Sequence, residues 1–77
     1  MIVDIWDKMN RAEAWKIERS SNDLDELLDV GAWYHENGEF NRAARTYEKI
    51  AKFFPDQKED ASILSKKMRK LAREINS

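Results

Sequence analysis

The sequence predicts an all-α fold, a four-helix array of antiparallel helical hairpins in a single domain, residues 1–77. Apolar residues recur at three- and four-residue spacing in separate stretches. The breaks between those stretches are short and rich in capping and turn residues. The composition fits as well: 42% hydrophobic, 38% charged, 2 Gly and 1 Pro describe a helical protein, neither disordered nor β-rich. At this length a core contributes only about 3–5 kcal/mol net. With 0 Cys, neither disulfides nor a thiolate zinc site adds to it. Tight packing, self-association, or both must hold the fold.

The first helix is expected at about residues 3–19, where Ile2, Ile5, Trp6 and Met9 recur at helical spacing with Ile17 near the same side. Glu13 and Lys16 interrupt that stripe, and Trp15 lies off it. Ser20-Ser21-Asn22-Asp23 breaks the chain, and Asp23 with Glu26, or Asn22 with Asp25, forms a cap for the next helix. That helix covers 24–36, with Leu24, Leu27, Leu28, Gly31 and Tyr34 on its apolar face, and Asn37-Gly38 ends it. The third, 41–53, starts at Asn41 as cap. It carries the cleanest stripe: Phe40, Ala43, Ala44, Tyr47, Ile50, Ala51 and Phe54, stopped by Pro55. The fourth, 57–75, is expected to be capped by Asp56 with Glu59 completing a capping box. Ala61, Leu64, Met68, Leu71 and Ile75 form its narrow seam, like a coiled-coil face but too short for an independent coiled coil. Short joints around residues 37–40 and 54–56 make the adjoining helices antiparallel neighbours.

The net charge of −1 hides an asymmetry: residues 1–41 carry −6 and residues 42–77 carry +5. Either both faces are solvated, or they meet within or between chains, or the basic part faces an acidic partner. No apolar run approaches the roughly 18 residues of a membrane span. The acidic start Met1-Ile2-Val3-Asp4-Ile5-Trp6-Asp7 is unlike a secretory signal, so a cytoplasmic protein without membrane contact is expected. Catalysis has little to work with. His35 and Glu36 are adjacent, and neighbours in a helix do not face each other. Asp23, Asp25, Glu26 and Asp29 crowd a helix start, where carboxylates favour the positive end of the dipole. Neither a metal nor a cofactor is expected, nor an enzyme activity.

Leu27, Val30, Gly31, Tyr34, Gly38, Phe40, Ala43, Tyr47, Ile50 and Pro55 fall at linked offsets within residues 24–57. Gly31 and Ala43 are small where two helices press together; Tyr34, Phe40 and Tyr47 fill the gaps; Gly38 turns the chain and Pro55 closes the unit. This segment resembles a tetratricopeptide repeat, a helical hairpin of about 34 residues. Ile50 departs from the pattern, since the family prefers alanine there. Shifted by one repeat, the fourth helix reads as a capping helix and the first as a degenerate half-repeat. The resemblance implies a protein-binding face on the first helix of the repeat, made of Asp25, Leu28, Asp29, Ala32, His35 and Glu36 with Trp33 beside it. That face is acidic and suits a basic or amphipathic protein or peptide.

A small non-catalytic interaction module, acting as adaptor, regulator or inhibitor, is therefore the leading expectation. Two alternatives stay open. Trp15 and Trp33 are possible anchors of a homo-oligomer, because tryptophan serves both cores and interface hot spots. Lys66, Arg69, Lys70 and Arg73 line one side of the fourth helix, and this ridge could follow the phosphates of a nucleic acid.

Overall fold

The computed structural model describes residues 10–76. Over these residues the chain is all-α: α1 (Arg11–Ser20), α2 (Leu24–Glu36), α3 (Phe40–Phe53) and α4 (Lys58–Asn76), with a 3-10 turn at Pro55–Gln57 before α4. Ile2, Ile5, Trp6 and Met9, expected to start the first helix, lie outside the described residues. Helix α1 starts at Arg11, so the single helix expected over residues 3–19 is broken at Asn10. Asn10 is extended (φ −117°, ψ 176°), and its side-chain oxygen accepts the Glu13 amide at 2.9 Å. Asparagine is among the strongest N-caps, and Asn10 with Glu13 is the pattern that marks a helix start.

Between α1 and α2 the chain caps itself through a relay. The Asp23 carboxylate accepts the Asp25 and Glu26 amides at 2.9 and 3.2 Å. The Asp23 amide donates to the Ser21 hydroxyl, which in turn donates to the Glu26 carboxylate at 2.7 Å. Ser21 thus stands between the two ends of the expected capping box. At the far end of α2, Gly38 takes the left-handed backbone (φ +76°). That conformation lets the Gly38 and Glu39 amides donate to the His35 and Tyr34 carbonyls at 3.1 and 2.8 Å.

Two other starts differ from expectation. Helix α3 begins at Phe40, which places Asn41 inside it, and Glu39 holds the cap position without a side-chain hydrogen bond to it. The Glu39 carboxylate is occupied elsewhere, by Arg11 at 2.8 Å and Arg42 at 3.5 Å. Asp56 does not cap α4 but sits within the 3-10 turn, which Pro55 opens with its fixed φ.

Helices α2 and α3 run antiparallel, and so do α3 and α4. Gly31 faces Tyr47 and His35 lies beside Phe40 across the α2–α3 pair. Glu48 reaches Ser65 and Arg69 on α4, while Phe40 and Ala72 share a depression at the opposite end of the same pair. Helix α1 reaches α2 at its end through Glu18 and Tyr34, and near its start through Arg11 and Glu39, just past α2. It also touches α3, where the Lys49 ammonium donates to the Glu18 carbonyl.

The core is one cluster: Ala14, Leu27, Val30, Tyr34, Ala43, Ala44, Tyr47, Ile50, Ala61 and Met68. Thr46 is buried with its hydroxyl on the Arg42 carbonyl, so its polarity is satisfied inside its own helix. The expected α4 seam packs on the core at Ala61, Leu64, Met68 and Leu71 but fails at Ile75, and the buried face is wider than expected. Ser65 and Ala72 are buried, whereas Ile75 is 64% exposed. The small Ser65 and Ala72 let α4 lie close to α3, and the Ser65 hydroxyl finds Glu48 at 2.9 Å. No described buried side-chain polar atom lacks a hydrogen-bond partner.

Burial, and then the neighbouring Glu18 carboxylate, raise the Tyr34 phenol above its ordinary pKa of 10.0. Burial does the same to Tyr47. Both phenols hold their protons in the fold beyond the point where the unfolded chain releases them. Their contribution to stability is complete below about pH 10 and is lost as the pH rises through the folded values. The melting temperature is expected to fall above about pH 10, and Tyr34→Phe to lessen that fall, in thermal melts by circular dichroism.

Candidate functional site

Helix α2 has two opposed sides. Leu27, Val30, Gly31 and Tyr34 are buried. At 100° per residue, Asp25, Asp29, Ala32 and Glu36 project on the opposite side, with Leu28 and His35 on one flank. The structure leaves Asp25, Asp29, His35 and Glu36 exposed and Leu28 37% exposed. Ala32 is half-buried. These six residues form one outward stripe with acidic groups around a small apolar centre. Among the described residues Asp25, Asp29 and Glu36 form no ion pair.

Trp33 does not share that stripe. It is half-buried against the core, its ring edge-on to Tyr34 at 5.6 Å. Its carbonyl accepts the Asn37 side-chain amide at 2.8 Å, which helps end α2. The two sequence-expected anchors are therefore unlike each other, because Trp15 stands 45% exposed on α1. The Arg19 guanidinium lies 4.6 Å from the Trp15 ring centre, within cation–π range. His35 and Glu36 show no mutual contact; the imidazole lies instead 5.7 Å from the Phe40 ring.

The basic ridge of α4 is only partly available. Arg69 is held in a two-point fork by Glu48, Nε to Oε2 and Nη2 to Oε1, both at 2.9 Å. It ties α4 to α3 and is not a spare cation. Lys66, Lys70 and Arg73 are exposed.

Sequence reasoning missed a second basic surface. Arg11, Trp15 and Arg19 follow each other at four-residue spacing on α1, and Arg42, Arg45 and Lys49 line the facing side of α3. Trp15 divides two open depressions there. One, of about 470 Å³, is lined by Trp15, Glu18, Arg19, Arg45 and Lys49. The other, of about 400 Å³, is lined by Arg11, Ala12, Trp15 and Arg42. The signal in the sequence was an aromatic between two arginines at helical spacing. Nothing in the sequence showed that α3 would bring its own cations alongside.

Among the described residues no group of three or more His, Cys, Asp or Glu side chains could hold a metal ion, and no helix is long and apolar enough to cross a membrane. Comparison with protein-family models, curated proteins and solved structures finds no match for this chain.

Proposed function

We propose that this chain is a small non-catalytic protein-interaction module whose outward α2 stripe binds a basic, amphipathic segment of a partner. The observation that carries this reading is the stripe itself. Asp25, Asp29 and Glu36 are exposed on the side of α2 opposite its core face, with Leu28 on the flank beside them, and form no ion pair among the described residues. A cationic helix with an apolar ridge would satisfy both parts, its charges steering encounter and its ridge covering Leu28 and Ala32. The tetratricopeptide-like pattern of residues 24–57 supports the same face. Gly31 lies at the close approach of α2 to α3, Gly38 turns the hairpin and Pro55 follows its end. In that repeat the first helix is the one that meets partners.

The test is titration with a synthetic amphipathic peptide, lysines flanking a leucine stripe, read by fluorescence anisotropy. Asp25→Asn combined with Asp29→Lys and Glu36→Lys is expected to weaken capture by about tenfold or more, with helicity unchanged. Capture of undiminished strength assigns the binding to some other surface.

A further inference from the structure

The partner of the α2 stripe has a counterpart on this same chain. The notch around Trp15 offers a half-exposed indole flanked by cations, and the stripe offers a half-exposed leucine flanked by carboxylates. The charges in the notch are unequally committed. Glu39 holds Arg11 and Arg42, and Lys49 donates to the Glu18 carbonyl. The Glu18 carboxylate, the one acid in the lining among the described residues, accepts the Tyr34 hydroxyl at 3.3 Å. Arg19 rests on the indole, and among the described residues neither it nor Arg45 forms an ion pair. Two uncommitted guanidinium groups beside an apolar ring match uncommitted carboxylates beside Leu28 in both charge and hydrophobicity.

Resting on the reading of α2 given above, we propose that its stripe docks into the Trp15 notch of a second copy of this chain. Leu28 lies against the indole, and the carboxylates of α2 meet Arg19 and Arg45. The two surfaces differ, so the contact is heterologous: each copy gives one face and receives another. An exposed tryptophan with arginine neighbours is the composition enriched at the centre of protein interfaces.

The experiment is sedimentation velocity on the whole chain over a range of concentrations. The average mass is expected to exceed the 9.1 kDa of one chain and to rise with concentration. It is expected to drop when salt goes from about 50 to about 500 mM, where charge attraction is screened. Two variants carry the decision, Asp29→Lys/Glu36→Lys and Arg19→Glu/Arg45→Glu, each checked for native helicity. Alone, each is expected to be monomeric, since like charges then face each other. Mixed in equal amounts they are expected to associate, because the new lysines meet the new glutamates and the unchanged notch of one variant meets the unchanged stripe of the other. Trp15→Ala tests the apolar half without changing any charge and is expected to weaken association by about tenfold or more.

A wild-type chain that stays monomeric at high micromolar concentration overturns the proposal. So does association unaffected by either charge variant, or a mixture that stays monomeric. A monomeric chain that binds a single-stranded oligonucleotide with steep salt dependence gives the notch to nucleic acid instead. None of these results touches the peptide titration, which judges the α2 stripe separately.

Discussion

Tyr34→Ala is expected to leave little folded protein at 25 °C. The side chain is fully buried in α2, edge-on to Trp33 and hydrogen-bonded to Glu18 on α1. Replacing a buried aromatic by alanine costs about 3–5 kcal/mol, which equals the whole net stability that a core of this size contributes. Tyr34→Phe keeps the ring and loses only the hydroxyl, at about 1 kcal/mol. Circular dichroism melts of the pair separate the two contributions. An alanine variant that melts within a few degrees of wild type would show that the core does not depend on this ring.

Gly31→Leu is the second substitution with a large expected effect, for the opposite reason. A Cβ at Gly31 would lie 2.8 Å from Tyr47 Cζ and 2.9 Å from Cε1. Tyr47 is 6% exposed and packed in the core cluster. Leucine therefore forces α2 and α3 apart, at about 3 kcal/mol, the upper part of the range for overpacked cores. Gly31→Ala is milder. Alanine gains about 1 kcal/mol of helix propensity over glycine, which offsets part of the clash. The cause is checked by pairing Gly31→Ala with Tyr47→Leu. If the ring is the obstacle, the double variant is more stable than the sum of the single effects allows, in denaturant titrations.

The fold class and α2 were legible because their signals were strong and local. Asp23 and Gly38 marked both ends of α2, and a continuous apolar face lay between them. The stripe of α3 gave its core residues for the same reason, Thr46 excepted, since a threonine can bury its hydroxyl on its own helix. The misread boundaries have different origins: the Asn10–Glu13 cap of α1 is local, whereas the cap of α3 is decided from far along the chain. A cap residue is chosen by competition, and the competitor is often a side chain far away in sequence. Arg11 takes the Glu39 carboxylate from a distance of 28 residues, which no local pattern reveals. The α4 seam was legible at Ala61, Leu64, Met68 and Leu71 but read too narrowly, because Ser65 and Ala72 are small or polar, and only the approach of α3 makes them interior. Of the candidate site, the acidic stripe was named through the resemblance to a tetratricopeptide repeat, and helical spacing puts most of its residues on one side of α2. The cationic surface around Trp15 was not, because it needs two helices separated in sequence by a third.

Each helix packs chiefly on its neighbour in the chain, and the turns between them are short. Such contacts form with little loss of loop entropy, since few residues lie between the partners. The polypeptide can reach its native arrangement by adding one helix at a time to an existing pair, a search fast enough for the microsecond-to-millisecond range of local helical topologies. Speed of this kind leaves apolar segments uncovered only briefly, which limits unwanted aggregation in a protein that carries exposed Ile63, Ile75 and Trp15 even when folded.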